Sequence, residues 1–512
     1  MAALTFKIYT IEGVDYDAII ALYRQFCERG ERELDHTKTN VSVYGFVEEQ
    51  YTQTRKPRKP LNDETKILNK AIFLVHTIAY RQLTNRTDSE GAYIQYAILQ
   101  KVIGKDVYEL LKALVQLGYI EITHSYIIGK HSLRYKVNGD IVFSESCNYT
   151  IKKYIDKTKQ LLKETILERL NSEQFKKEYG DSFANTYIKN LNLFKIKDIT
   201  GFNRYIKNEI TTNPNKESYY NYLAESFNSD LKIYRIDGNN RIYHLLISLE
   251  RELKQFINIK YSIDCKNSHP VLFNYFIFNY KGVDIYNSYL ISSILYSIDS
   301  KTIFSISPPH YDIEKLCNIL IDNNIDKSII AKLTPDELLY IYKTTKGIFG
   351  DDILREHQGE GLDRAEIKQK MFAEVFYSKT KKLSWKVFAQ EFKAQYPSVY
   401  DLIEQWKEPL KNDTLKGILL EKNRAVKLGD MTLMQNQETA LPNFMMLMES
   451  EIFREILKSL YRKRISAVHI HDAIVLPKTR GEVDANKVEE VMRDAYKQFG
   501  LHPTFSVDVY GQ

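Results

Sequence analysis

Glycine and proline are scarce: 21 and 12 in a chain of 512 residues. Both punctuate chains, glycine by opening left-handed backbone and proline by removing an N–H donor. So few of them predict long regular elements, largely helical. The 44% hydrophobic and 27% charged fractions belong to a globular protein and exclude global disorder. The length exceeds one ordinary core and implies about two to four domains. A net charge of +6 is compatible with a nucleic-acid partner but too small to name one. Tyrosine is in excess, 37 residues against 24 Phe and 2 Trp, and the pattern offers no reason for it.

Four cysteines, Cys27, Cys147, Cys265 and Cys317, are scattered without any CxxC pair. That argues against a zinc knuckle or a disulfide framework and for a reducing compartment. The first twenty residues carry no apolar core of a signal peptide, and no apolar run approaches the ~18 residues of a membrane span. The expectation is a cytoplasmic protein, in a bacterial host cell, with no membrane partner.

Residues 1–60 form an unassigned segment closing in RKPRKP (Arg55 to Pro60). Its two prolines and four basic residues read as a solvated hinge more readily than as a nucleic-acid patch. Residues 61–140 read as three helices and a hairpin. Ile67, Ala71, Leu74, Val75 and Ile78 recur at helical spacing, and AYIQYAILQKVI stops at Gly104. Val107, Leu110, Leu111, Leu114 and Leu117 line a third helix stopped by Gly118. YIEITHSYIIGKHSLRYKV then reads as two strands about a glycine turn. This order resembles a winged helix-turn-helix, with Lys130, His131, Arg134 and Lys136 on the wing. A cationic edge suffices for phosphate contact, so nucleic acid is the functional reading and a packing module the alternative. Residues 141–230 are polar and helical, with Leu161, Leu162, Ile166, Leu167 and Leu170 on one apolar side.

Three stretches of the second half carry chemistry. In FINIKYSIDCKNSHPVLF a β-branched run leads to Asp264, a carboxylate at the end of a strand. In RISAVHIHDAIVLP two short apolar strands flank His471-Asp472, a hairpin with Asp472 at its apex. Carboxylates on adjacent strands can bind two divalent cations about 3.5–4 Å apart, as in-line phosphoryl transfer requires. Magnesium suits such hard oxygen ligands, with manganese an alternative. Between them, DRAEIKQKMFAEVFYSK places Arg364, Lys368, Phe372 and Phe376 four residues apart along one helical stripe. Two cations and two rings on one face suit a nucleoside triphosphate; an ordinary amphipathic helix is the bland alternative.

Taken together, these stretches resemble the palm and fingers of family A DNA polymerases and single-subunit phage-type RNA polymerases over residues 231–512. Motif A is Asp264, motif B is Arg364, Lys368, Phe372, Phe376 and Tyr377, and motif C is His471-Asp472. IDGNNRIYHLLISLERELKQF looks like the "GR-x-Y" stretch such enzymes hold near template and primer, with Arg241 its cation. FKAQYPSVYDLIEQWK and NFMMLMESEIFREIL look like phage members of the group.

The resemblance implies an α+β, mostly helical fold: an antiparallel palm sheet, helical fingers over about 275–410, a thumb-like region at 141–230 and the N-terminal winged helix. It implies a template-directed DNA polymerase of a phage or mobile element, using DNA template and primer, with RNA an alternative template, nucleoside triphosphates and two magnesium ions. Other replication proteins are candidate partners. Asp264 and Asp472 would hold metal, Lys368 and Arg364 the phosphates, and His471 the primer terminus. Phe372, Phe376, Tyr377 and His269 would face the nucleotide. No DxE pair marks a proofreading exonuclease.

Two positions depart from the family. The glutamate that blocks a ribose 2′-hydroxyl falls on His269, and the Tyr-Gly closing motif B reads Phe376-Tyr377. Phe376 lacks the hydroxyl with which RNA-making relatives sense ribose, which leans toward deoxynucleotides. A single-subunit RNA polymerase or primase is the alternative within the class. Outside it stand a zinc hydrolase built on His469 and His471 with only His502 downstream, an HD-type phosphohydrolase, and a non-catalytic DNA-binding initiator.

Overall fold

The computed structural model describes the chain except residues 1–7, 30–31, 43–44, 55–57, 85–91, 94–95, 125–133, 140, 145–148, 214–215, 237–240, 300–302, 304–310, 357–363, 379–385, 408–439, 480–482 and 511–512. It is mostly helical with small antiparallel sheets, an α+β architecture. Two compact units emerge: Met1–Glu173 with Ile196–Arg235 and Tyr243–Leu249, and Gln174–Lys195 with Ile236–Ile242 and Glu250–Gln512. No helix among the described residues is long and apolar enough to cross a membrane.

In the first unit, β1 (Ile8–Ile11) precedes α1 (Tyr16–Arg29) and a hairpin of β2 (Arg32–Ser42) and β3 (Gly45–Thr54). Then follow α2 (Glu64–Thr84), β4 (Ala92–Tyr93), α3 (Tyr96–Ile103), α4 (Val107–Gln116), β5 (Ile120–His124), β6 (Arg134–Val137), β7 (Ile141–Ser144) and α5 (Tyr149–Leu170). The apolar stripes are in the core: Ile67, Leu74, Val75, Ile78, Leu110 and Leu114 are all buried. Gly118 ends the run after α4 with a left-handed φ of +75°, and the Tyr119 N–H reaches the Leu114 carbonyl at 3.0 Å. β5 pairs with β6, and β4 joins the other side of β6. Lys130 and His131 lie outside the described residues, as does the side chain of Arg134; Lys136 pairs with Glu121 at 3.4 Å.

RKPRKP is not a wholly solvated hinge. Arg55 and Lys56 lie outside the described residues, but the Arg58 guanidinium meets Asp106 and Glu109, each at 2.8 Å. Both carboxylates are buried, and a buried charge must be paired. Lys70 also bonds Asp106, and the Tyr23 hydroxyl donates to it at 2.7 Å.

The second unit is built on a four-stranded antiparallel sheet of β8 (Ile259–Cys265), β9 (Val468–Ile470), β10 (Ala473–Pro477) and β11 (Phe505–Val509), in the order β9-β10-β8-β11. Around it in sequence stand α6 (Phe183–Leu191), α7 (Ser268–Tyr280), α8 (Pro335–Thr345), α9 (Phe349–Glu356), α10 (Arg364–Lys370), α11 (Pro397–Lys407), α12 (Ala440–Arg462) and α13 (Ala485–Lys497). α7 is apolar almost all round, as a helix buried on most sides must be. Between α8 and α9 lies a buried ion pair, Lys343 to Asp352 at 3.3 Å, both nearly inaccessible.

Candidate active site

Register decides which side chains share a face. Asp264 stands opposite Ala473 on β10 and Ser506 on β11, and Ala473 stands opposite Ile470 on β9. Directly opposed residues project to the same side of a sheet, so these four share the Asp264 face. His469 is opposite Ile474, and Ile474 opposite Ile263, so His469 lies on the other face. There the Tyr187 hydroxyl is 2.9 Å from its Nδ1.

β9 and β10 are joined by only two residues, His471 and Asp472. So tight a hairpin needs positive φ at its first central position, usually supplied by glycine. Here His471 supplies it at φ 51°. A left-handed non-glycine residue costs about 1–2 kcal/mol, and such cost collects at working sites. The Asp472 carbonyl accepts the Cys265 N–H at 3.1 Å, which holds the hairpin apex against the end of β8.

The two carboxylates are thereby brought together. Burial, then the neighbouring Asp472 charge, pushes Asp264 up to about 7, while Lys368 opposes the shift. Two like charges held this close raise the cost of ionising both, which is the second cause of the Asp264 shift. Burial likewise pulls His471 down, with Asp472 opposing.

A pH dependence follows. A carboxyl whose folded-state pKa lies above its unfolded value favours folding while protonated. That contribution is complete below the unfolded value of about 4 and is lost as pH rises through the folded value of about 7. In chelator, wild-type protein is expected to lose stability relative to Asp264→Asn over that interval. Urea midpoints at stepped pH measure it; parallel curves for the two proteins would refute it.

Motif B departs from a plain helix. α10 runs to Lys370, and Met371–Phe376 continues as a π-helix. The Tyr377 N–H bonds the Phe372 carbonyl at 2.8 Å, five residues back. The buried Lys407 ammonium reaches the Val375 carbonyl within this turn at 2.5 Å. The wider turn moves the register of the stripe. Phe376 is fully buried against Phe273 and Phe392, with ring centroids 5.9 and 6.5 Å away, and its ring lies 6.0 Å from Phe372. Tyr377 instead stacks on Phe372 at 5.2 Å and bonds His269 Nδ1 through its hydroxyl. A tyrosine hydroxyl, that of Tyr377, thus stands beside His269 next to Phe376, whose ring has none.

His269 sits edge-on to Phe372 at 5.5 Å. Burial pulls it down to about 4, so it is neutral at physiological pH. The structure thus gathers Asp264, Asp472, His269, His471, Lys368, Phe372 and Tyr377. Lys368 Nζ lies 6.0 Å from the Phe372 ring. The Arg364 side chain lies outside the described residues.

Arg241 belongs to the cluster through a residue that sequence reasoning missed. Glu449, in the middle of α12 and only 5% exposed, is ion-paired with Arg241. It also lies 3.4 Å from Ser268 Oγ and 3.5 Å from His269 Nε2. Its only sequence signal was an acid inside the apolar run MMLMESEIF. A small cavity opens beside it, lined by Tyr179, Phe183, Arg241, Arg454, His469 and His471.

Among the described residues no group of three or more His, Cys, Asp or Glu side chains is placed to hold a metal ion. Catalytic zinc requires about three protein ligands, so the His469/His471 pair does not make such a site. Magnesium keeps waters and substrate phosphates and needs only one or two carboxylates. Asp264 and Asp472, at adjoining positions of β8 and the hairpin apex, fit that requirement.

No family model matches this chain, and no curated protein does. Among solved structures it is similar to the POL domain of Pol1 from M. smegmatis, solved in complex with DNA primer-template and dNTP. Identity is 9% and the TM-score 0.25, over 70% of this chain and 73% of that one. A likeness of that size defines neither fold nor function.

Proposed function

We propose that this chain is a template-directed nucleotidyltransferase of the family A type that extends a 3′-hydroxyl on a DNA template with deoxynucleotides. The observation carrying the reading is the carboxylate pair: Asp264 at a strand end, opposite Ala473, and Asp472 at the hairpin apex next to it, near enough for the Asp472 charge to raise Asp264 while Lys368 opposes the shift. Asp264 and Asp472 would hold divalent magnesium, which supplies a lowered pKa at the attacking hydroxyl and neutralises charge at the leaving group.

The chain's own groups do the rest. Lys368, with Arg364, binds the triphosphate and offsets charge developing on it. Phe372 and Tyr377 form a stacked wall for the incoming nucleoside. Tyr377 and His269 stand together where the sugar would lie. His471 holds the primer terminus and Arg241 the duplex near it. Residues 61–140 are the proposed winged helix, 141–230 the thumb-like region and 231–512 the palm and fingers.

One observation favours a second reading, an RNA polymerase or primase: the Tyr377 hydroxyl can meet a ribose 2′-hydroxyl, which a phenylalanine there could not. Extension assays with dNTPs and with NTPs, on primed and unprimed DNA and RNA, test both. Primer-dependent dNTP addition is the expected result. Unprimed addition of NTPs would favour the second reading, and no addition on any template would overturn both.

A further inference from the structure

Glu449 touches three parts of the site at once. Its α12 carboxylate meets Arg241 of the segment before β8, and Ser268 and His269 of the first turn of α7. His269 passes the connection to Tyr377, and Tyr377 stacks on Phe372 of motif B. Elements distant in sequence therefore meet on a single buried acid.

The chemistry of this chain assigns its protons. As the ion-pair partner of Arg241, Glu449 presents acceptors only. A neutral imidazole has one N–H and one lone pair. Nε2 faces the carboxylate and so carries the hydrogen; Nδ1 is left as an acceptor. The Tyr377 hydroxyl must then donate its proton to Nδ1. With that proton committed, the phenol oxygen turns only lone pairs toward an incoming sugar.

We propose that Glu449 is a positioning residue that fixes His269 in its Nε2–H tautomer and so orients the Tyr377 hydroxyl, joining the Arg241 side of the site to the nucleotide side. This inference rests on the nucleotidyltransferase reading above for its kinetic consequence, though not for its tautomer.

Glu449→Gln tests it with almost no change of shape. With Arg241 claiming the amide oxygen, the amide NH₂ faces His269 Nε2. The imidazole must then move its proton to Nδ1 and donate to Tyr377, which frees the phenol hydrogen. Protein labelled with ¹⁵N-histidine reports this directly: long-range ¹⁵N–¹H correlations distinguish the two tautomers, and His269→Gln assigns the signal among the 11 histidines. The expected result is an Nε2–H pattern in wild type, an Nδ1–H pattern in Glu449→Gln, and a KM for nucleotide raised about tenfold with kcat within about twofold. Tyr377→Phe is expected to keep the Nε2–H pattern, because Glu449 sets it. It should also absorb most of the Glu449→Gln effect in the double variant.

An unchanged tautomer in Glu449→Gln, a changed one in Tyr377→Phe, or a changed tautomer with unaltered KM would each overturn the proposal. The spectra are taken without substrate. Wild type that adds no nucleotide at all would defeat the functional reading and leave the tautomer result standing on its own.

Discussion

Replacing Asp264 or Asp472 by alanine is expected to lower nucleotide addition by about three orders of magnitude. Each carboxylate is half of the acidic pair at the end of β8 and the hairpin apex, on a face of the sheet where Asp508 adds a third negative charge that acts on Asp264. Metal-assisted phosphoryl transfer draws several kcal/mol of transition-state stabilisation from such a pair, and each 1.36 kcal/mol is about a factor of ten. The loss should not come from unfolding. The two acids repel one another, so removing either relieves a like-charge contact, and urea midpoints near neutral pH are expected to hold or rise. Primer extension at saturating magnesium, beside urea unfolding of each variant, measures both halves. Activity equal to wild type in both variants would remove the basis for a two-carboxylate enzyme. Loss of activity with a matching loss of folded protein would reduce the aspartates to structural residues.

Asp352→Ala is expected to destabilise the second unit by about 3–5 kcal/mol. Lys343 is 2% exposed, and Asp352 is the carboxylate it pairs with. The Tyr311 hydroxyl donates to the same acid, and Arg355 adds a second cation. Removing the acid strands an ammonium ion in the core, which costs far more than the net worth of the pair. The double variant Lys343→Met/Asp352→Leu replaces both charges by apolar groups and should recover most of the loss. Urea unfolding distinguishes the cases. A single variant as stable as wild type would mean that water reaches Lys343 after all.

Much of the site was legible because its chemistry sits at element boundaries. Asp264 ends a β-branched run, and His471-Asp472 interrupts two apolar strands, so a period-two pattern places both at strand ends. The equal four-residue spacing that puts Phe376 on one stripe with Phe372 presumes an unbroken α-helix. A π-turn adds a residue without leaving a mark in composition. Arg58 was read as solvated from its prolines and neighbouring charges, yet its partners lie far along the chain at Asp106 and Glu109. Glu449 could not be read at all, since what gives it meaning is three contacts from two distant segments, Arg241 on one and Ser268 and His269 on the other. The tyrosine excess is partly accounted for: Tyr23, Tyr187, Tyr220, Tyr340, Tyr342, Tyr396 and Tyr496 are fully buried, filling core positions that phenylalanine commonly takes.

The strand order of the four-stranded sheet also sets a timetable. β8 is flanked on one side by β10 and on the other by β11, both encoded far downstream of it. A ribosome adding about 5–20 residues per second leaves β8 without either neighbour for on the order of ten seconds or more. During that time Ile259 and Ile263, fully covered in the finished sheet, have no strand to cover them. The nascent chain is therefore a natural client for holding chaperones between the synthesis of β8 and that of β10. A ribosome stalled before β10 would carry Asp264 without Asp472, half of a carboxylate pair on a sheet not yet formed.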